Sequence, residues 1–190
     1  MFSKKRSIIC TALAISFWLI PFVIRLLFVE IPESTKASTM GEAKETIITT
    51  IYDALDSKNN KAAFLLIFKN NLQGCFINIV GGVFLGLGTI CNLSFNGFIT
   101  ADVFVNSFRN GFSLGNILKT TLPHSFELLG FWISGAIGFA ISWKFIQFMR
   151  GKEEFTSLFL KQVGLWITIV FVVILCAAYV EVYISINIFK

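Results

Sequence analysis

The sequence predicts an all-α fold: a polytopic transmembrane helical bundle of about five membrane segments, one re-entrant or broken, with an extracytoplasmic amphipathic helix. Three observations carry this. Of the 190 residues, 55% are hydrophobic and 14% charged, whereas a soluble domain carries about 25% charged residues over its surface. Neither a charged residue nor a histidine lies between Lys69 and Asp102, and residues 162–189 hold one charge, Glu181, while about 20 apolar residues cross a bilayer. Small residues recur at Gly82 and Gly86 and at Gly130, Ser134 and Gly138, a four-residue spacing that lets helix backbones pack closely in lipid.

The same composition excludes several chemistries. With one histidine, His124, a zinc site built on several imidazoles is impossible. Cys10, Cys75, Cys91 and Cys176 lie in apolar runs without Cys-x-x-Cys spacing and read as packed or lipid-facing thiols. The net charge of +5 comes without a basic patch interleaved with aromatics, so no nucleic-acid partner is expected. No phosphate loop or dinucleotide fingerprint is present. The expectation is a non-enzyme with no catalytic residues, no cofactor and no metal.

The chain reads as a single membrane domain over 1–190. Lys4, Lys5 and Arg6 precede an uncharged stretch from Ser7 to Ile24 with no cleavage site after it, which predicts an uncleaved signal-anchor helix over 7–29 with a cytoplasmic N-terminus. Pro21 should kink it, and Arg25 can snorkel to the far interface. Residues 30–69 form an amphipathic extracytoplasmic segment: Thr39 and Glu42 make a capping box, and Ile47, Ile48, Ile51, Tyr52 and Leu55 recur at helical spacing.

The core helices are expected over 70–190. A second helix starts at Asn70 or Asn71 and runs to about Cys91, carrying the Gly82 and Gly86 packing face. In the next stretch Asp102, Asn106 and Arg109 fall on one helical stripe that can line the interior, while Asn96-Gly97 and Asn110-Gly111 are turn signals. A fourth helix spans about Pro123 to Phe148, a basic loop follows around Arg150, and a fifth runs from about Gln162 to the C-terminus. If the stretch over 97–118 crosses, the basic loop shares the cytoplasm with Lys4, Lys5 and Arg6, as the positive-inside bias favours. Five crossings with the C-terminus outside are therefore expected.

In this topology Asn70, Asn71, Asn96, His124, Glu127 and Glu181 form a candidate polar network toward the outer leaflet. Glu127, in the first turn of its helix, suits the dipole. Glu181, near a helix C-terminus, needs a donor, for which His124 or an Asn amide is the natural candidate. His124 and Glu127, three residues apart, also raise a metal site or a proton-transfer pair; a hydrogen-bonded network tying helices two, four and five together is the preferred reading.

Four strings, FKNNLQGCFINIVGGVFLGLGT, NLSFNGFI, LPHSFELLGFWISGAIGF and CAAYVEVYIS, together resemble the stage II sporulation protein M family over about residues 60–185. The most specific parts are Asn70-Asn71, Asn96-Gly97, and Pro123, His124 and Glu127, with Ala177, Ala178 and Glu181 in support; Ser125 stands where the family usually has Gly. The resemblance implies a polytopic helical protein of the bacterial cytoplasmic membrane without known catalytic activity. The founding member anchors peptidoglycan-degrading enzymes during spore engulfment. Similar proteins occur beside ABC-type and MoxR-like ATPases and in circular-bacteriocin gene clusters. Expected partners are the lipid bilayer and other membrane or cell-envelope proteins, with a homo-oligomer compatible. The first reading is a membrane scaffold; the second is a subunit of an export or self-protection system served by an ABC-type ATPase; an intramembrane enzyme is the third class.

Overall fold

The computed structural model describes residues 4–28, 57, 59–109, 111, 113, 115 and 124–185. Among the described residues five α-helices run over Lys4–Phe28 (α1), Asn60–Gly81 (α2), Leu87–Arg109 (α3), His124–Met149 (α4) and Ser157–Tyr179 (α5), and α5 continues into a π-helical turn, Val180–Ser185. By length and composition α1, α2, α4 and α5 are apolar enough to cross a membrane. The amphipathic segment expected over 30–69 falls mainly on residues outside those described, but its end is corrected: residues 60–69 are the first turns of α2.

Adjacent helices in the chain alternate in direction. Phe17, Trp18 and Phe22 of α1 meet Ser94, Gly97 and Phe104 of α3 in that order, so these two helices are parallel. Trp18 and Phe17 meet Trp132 and Phe139 of α4, an antiparallel pairing. Gly74 of α2 and Gly82 just after its end face Phe131 and Gly138 of α4, a parallel pairing. Central α4 touches all four other helices. Lys4, the α2–α3 turn and the α4–α5 loop thus lie at one end of the bundle, termed the basic end; Arg25, the start of α2 and Glu127 lie toward the other.

The predicted second helix, continuous from Asn70 to Cys91, is not formed. Helix α2 begins ten residues earlier, where the Asn59 side chain accepts a bond from Ala62 N at 3.2 Å. It ends at Gly81, and residues 82–86 reverse the chain into α3. Gly82 and Gly86 therefore do not share one helical face. Gly86 has φ of +81°, which glycine adopts without strain, and a side chain on Gly82 would collide with the Gly138 carbonyl. Leu85 also sits in the left-handed region, at φ 54°, at a cost of about 1–2 kcal/mol that surrounding contacts must offset.

The carbonyls freed at the end of α2 are met from other helices, as an apolar medium demands. Thr89 Oγ1 donates to Asn78 O at 2.7 Å, and Ser142 Oγ of α4 donates to Gly82 O at 2.8 Å. Helix α1 shows the same logic. Pro21 has no N–H, so the Phe17 carbonyl four residues earlier loses its usual donor. Ser94 Oγ of α3 donates to it at 3.2 Å. Three residues on, Gly97 packs against the Trp18 carbonyl, where any Cβ would collide.

Three apolar clusters run through the bundle. Cys10, Ala14, Leu93, Phe139 and Ala140 join α1, α3 and α4. Cys75, Phe131, Ile137, Val170 and Ile174 join α2, α4 and α5. Ala63, Ile67, Ala178 and Val182 seat the π-turn on α2. Gly130 lets α5 close on α4, since a side chain there would strike Ile174. Helix α5 starts at Ser157, five residues before the expected Gln162, because Thr156 caps it through Phe159 N.

At the basic end Glu153 accepts from Arg6 of α1 at 2.8 Å and from Lys144 of α4 at 2.9 Å. The N-terminal cluster and the 150 loop share one end, as the charge argument required. These two bonds, that of Lys144 foremost, hold the Glu153 carboxyl below its usual range. A carboxylate with a lowered folded-state pKa stabilises fully above its ordinary value, about 4.3, and that contribution is lost as pH falls through the lowered value.

Two outcomes are expected in detergent. Gly97→Ala should lower stability by about 1–3 kcal/mol in thermal unfolding through overpacking against α1, whereas Gly164→Ala, facing open space on α5, should be neutral or stabilising by roughly 0.5–1 kcal/mol. Glu153→Gln should lower the melting temperature at pH 7 and converge with the parent as pH falls below the lowered Glu153 value; an equal deficit at pH 3 would show that charge is not the cause.

Candidate functional site, a buried polar seam

Between α2, α3 and α4 a line of polar side chains is enclosed by apolar ones. Its centre is Asn78, with no accessible surface. Its Nδ2 donates to Ser134 Oγ at 3.0 Å and to the Phe131 carbonyl at 3.3 Å, both on α4. Its Oδ1 accepts from Asn92 Nδ2 of α3 at 2.8 Å, and Asn92 Nδ2 also reaches Gly74 O of α2 at 3.0 Å. One side-chain amide therefore bridges three helices.

The seam extends from this centre in two directions. On α3, Asn96 Nδ2 donates to Asn92 O at 2.8 Å and to Asn92 Oδ1 at 3.3 Å. On α2, two turns before Asn78, buried Asn71 donates through Nδ2 to Glu127 Oε1 of α4. Helix phase explains the alignment: Asn71 and Asn78 are seven residues apart, Thr89, Asn92 and Asn96 are three and four apart, and Glu127 and Ser134 are seven apart. Glycine supplies the room. A side chain on Gly138 would collide with the Asn78 carbonyl, and one on Gly74 would stand 2.7 Å from the Phe131 ring.

The predicted network residues are distributed as follows. Asn71 and Glu127 pair across α2 and α4, and Asn96 joins the seam through Asn92. Asn70 is half-buried on α2, next to the seam but not part of the bonds described above. Glu181 lies in the π-turn, beside Val182, which packs on Ala63 and Ile67 of α2; Oε2 of Glu181 is buried. The His124 backbone opens α4, and its side chain is outside the described residues. Asn70 and Asn71 do not begin a helix but sit in its third turn.

The predicted stripe of Asp102, Asn106 and Arg109 divides. Asp102 pairs with Arg25 of α1, Oδ1 to Nε at 2.6 Å, with both side chains part-buried. Arg25 is thus held by α3 instead of snorkelling alone, and pairing offsets the desolvation cost of these two part-buried ions. Asn106 and Arg109 are exposed. The stretch 97–109 is continuous helix, so the Asn96-Gly97 turn signal is overridden by close packing on α1.

Asn78, Asn92, Thr89 and Ser142 were missed by the sequence reading. Their signal is amide and hydroxyl residues at helical spacing, Asn78, Thr89 and Asn92 within the uncharged run and Ser142 four residues after Gly138. Chemically the seam is a chain of amides and hydroxyls, with the Glu127 carboxylate on Asn71, bonded across α2, α3 and α4. Among the described residues, no three His, Cys, Asp or Glu side chains gather as a metal-ligand group.

A profile of the family described as Stage II sporulation protein M matches residues 7–186. The uncharacterized protein MJ0793 of Methanocaldococcus jannaschii is 33% identical over 125 residues, covering 64% of this chain and 70% of that protein. No solved structure matches.

Asn78→Ala should destabilise by roughly 1–2 kcal/mol, the range for interhelical hydrogen bonds in lipid, with added loss from the cavity. In a double-mutant cycle with Asn92→Ala the two effects should couple by about 0.6 kcal/mol or more, measured by unfolding in bicelles. Strict additivity would show that the two amides do not act together.

Proposed function

Because this chain belongs to the stage II sporulation protein M family, we propose that it is a non-enzymatic membrane scaffold that assembles partner proteins. The observation that carries this reading is the bonding of the seam across three helices. Asn71, Asn78, Asn92, Ser134 and Glu127 bond to one another or to backbone across α2, α3 and α4, so the polar groups held inside the span set helix register. Partner recognition then falls to the two ends and the lipid-facing surface.

In this reading the bundle crosses the cytoplasmic membrane five times. Helix α3 is more polar than the others, yet its 23 residues give about 34 Å of helix, and it runs parallel to α1. Seven basic residues against Glu153 and Glu154 at the basic end favour placing that end in the cytoplasm. The exposed Arg150 and Lys152 favour one second reading, a docking surface for a cytoplasmic ATPase of an export or self-protection system.

The test is cross-linking and affinity purification of the tagged full-length protein from native membranes. The scaffold reading expects the same envelope partners to be recovered with the parent and with Arg150→Glu/Lys152→Glu. Recovery of an ATP-binding subunit, lost in that charge-reversal variant, would favour the second reading and count against the first. Orientation is checked in the same membranes: a cysteine at Phe155 should react with an impermeant thiol reagent only after the cells are opened.

A further inference from the structure

Cys10 of α1 and Ala140 of α4, both small, pack in one buried cluster. Beside them lies a groove of about 240 Å³ walled by Ile9, Leu13, Phe139 and Ile146. Ser142 lines its floor, but the hydroxyl is turned to the Gly82 and Gly138 carbonyls, so the groove is effectively apolar. It opens sideways: Ile9, Leu13 and Trp143 are 49%, 40% and 48% exposed. In an apolar span that side faces lipid.

The mouth differs from the walls. Among the described residues Arg6 is the one charged residue lining the groove, and its guanidinium stands 5.9 Å from the centre of the Trp143 ring, a cation–π distance. Glu153 orients the same guanidinium from the loop. Five N–H donors allow a guanidinium to hold a carboxylate and a phosphate oxygen together. Tryptophan favours the headgroup level, and around it the basic residues of the N-terminal cluster and of 144–161 outnumber acids seven to two. Apolar walls under a guanidinium with a cationic surround match the two ends of one molecule, an acyl chain and an anionic headgroup.

We infer that the α1–α4 groove binds an anionic phospholipid, with one acyl chain between Ile9, Leu13, Phe139 and Ile146 and the phosphate at Arg6. The site requires only that the bundle lie in a bilayer, and stands or falls separately from the scaffold reading. Attraction of about 1 kcal/mol per basic residue near a membrane surface corresponds to roughly fivefold enrichment.

The experiment places the full-length protein in nanodiscs containing a small fraction of phosphatidylglycerol or phosphatidylcholine with identical brominated acyl chains, and reads the quenching assigned to Trp143 by difference from Trp143→Phe. Quenching by the anionic lipid at a several-fold lower mole fraction than by the zwitterionic one is expected. Arg6→Gln should abolish that preference, and Ile9→Phe, which fills the groove from an already exposed position, should reduce quenching by both lipids while helicity is unchanged. Equal quenching by the two lipids in the parent, or a preference that survives Arg6→Gln, would overturn the site. So would a Trp143 shielded from both lipids, the result if a second copy of the chain covers the groove.

Discussion

The structure depends on the cost of leaving an amide bare in an apolar medium. Asn78 has no accessible surface, and its side chain bonds to α3 and α4 at once. One interhelical hydrogen bond in lipid contributes only about 0.6–2 kcal/mol, less than the roughly 4–8 kcal/mol needed to strip a polar group of all partners. The larger figure decides the fold. Sliding α2 by one turn would strand Asn78 together with its partners Asn92 and Ser134, so the seam selects one register among many that apolar packing alone would tolerate.

The irregular backbone obeys the same constraint. A proline in α1 and a reversal after α2 both free carbonyl groups, and both are met by hydroxyls from other helices, Ser94 at Phe17, Thr89 at Asn78 and Ser142 at Gly82. This explains why α3, the least apolar of the five helices, can be the one between α1 and α2. Its polar residues answer defects and amides on its neighbours, and Asp102 answers Arg25. Glycines complete the arrangement, since Gly97 and Gly138 each lie where a carbonyl of another helix occupies the space of a Cβ.

Charge and polarity are therefore sorted by position. Amides and hydroxyls in the middle bond to one another and to backbone carbonyls of neighbouring helices, ion pairs occupy the ends, and the outer faces of α1 and α5 are apolar.

Much of this was legible in the sequence. The apolar runs determined an all-helical membrane protein, because backbone groups in lipid must bond internally. The distribution of basic residues placed the N-terminus and the 150 loop together, and helical spacing marked Gly130, Ser134 and Gly138 as one packing face. What the sequence did not reveal was where the long run from Lys69 to Asp102 turns. Gly82 and Gly86 are equally consistent with a packed helix face and with a chain reversal, since both ask only for the absence of a side chain. The choice rests on groups distant in sequence: Ser142 bonding Gly82, Gly138 admitting the Asn78 carbonyl, and Thr89 folding back on the end of α2. Local pattern determined which residues could be buried in lipid; only the tertiary structure decided which polar partners they would find there, because a hydrogen bond between helices depends on where another part of the chain has been placed.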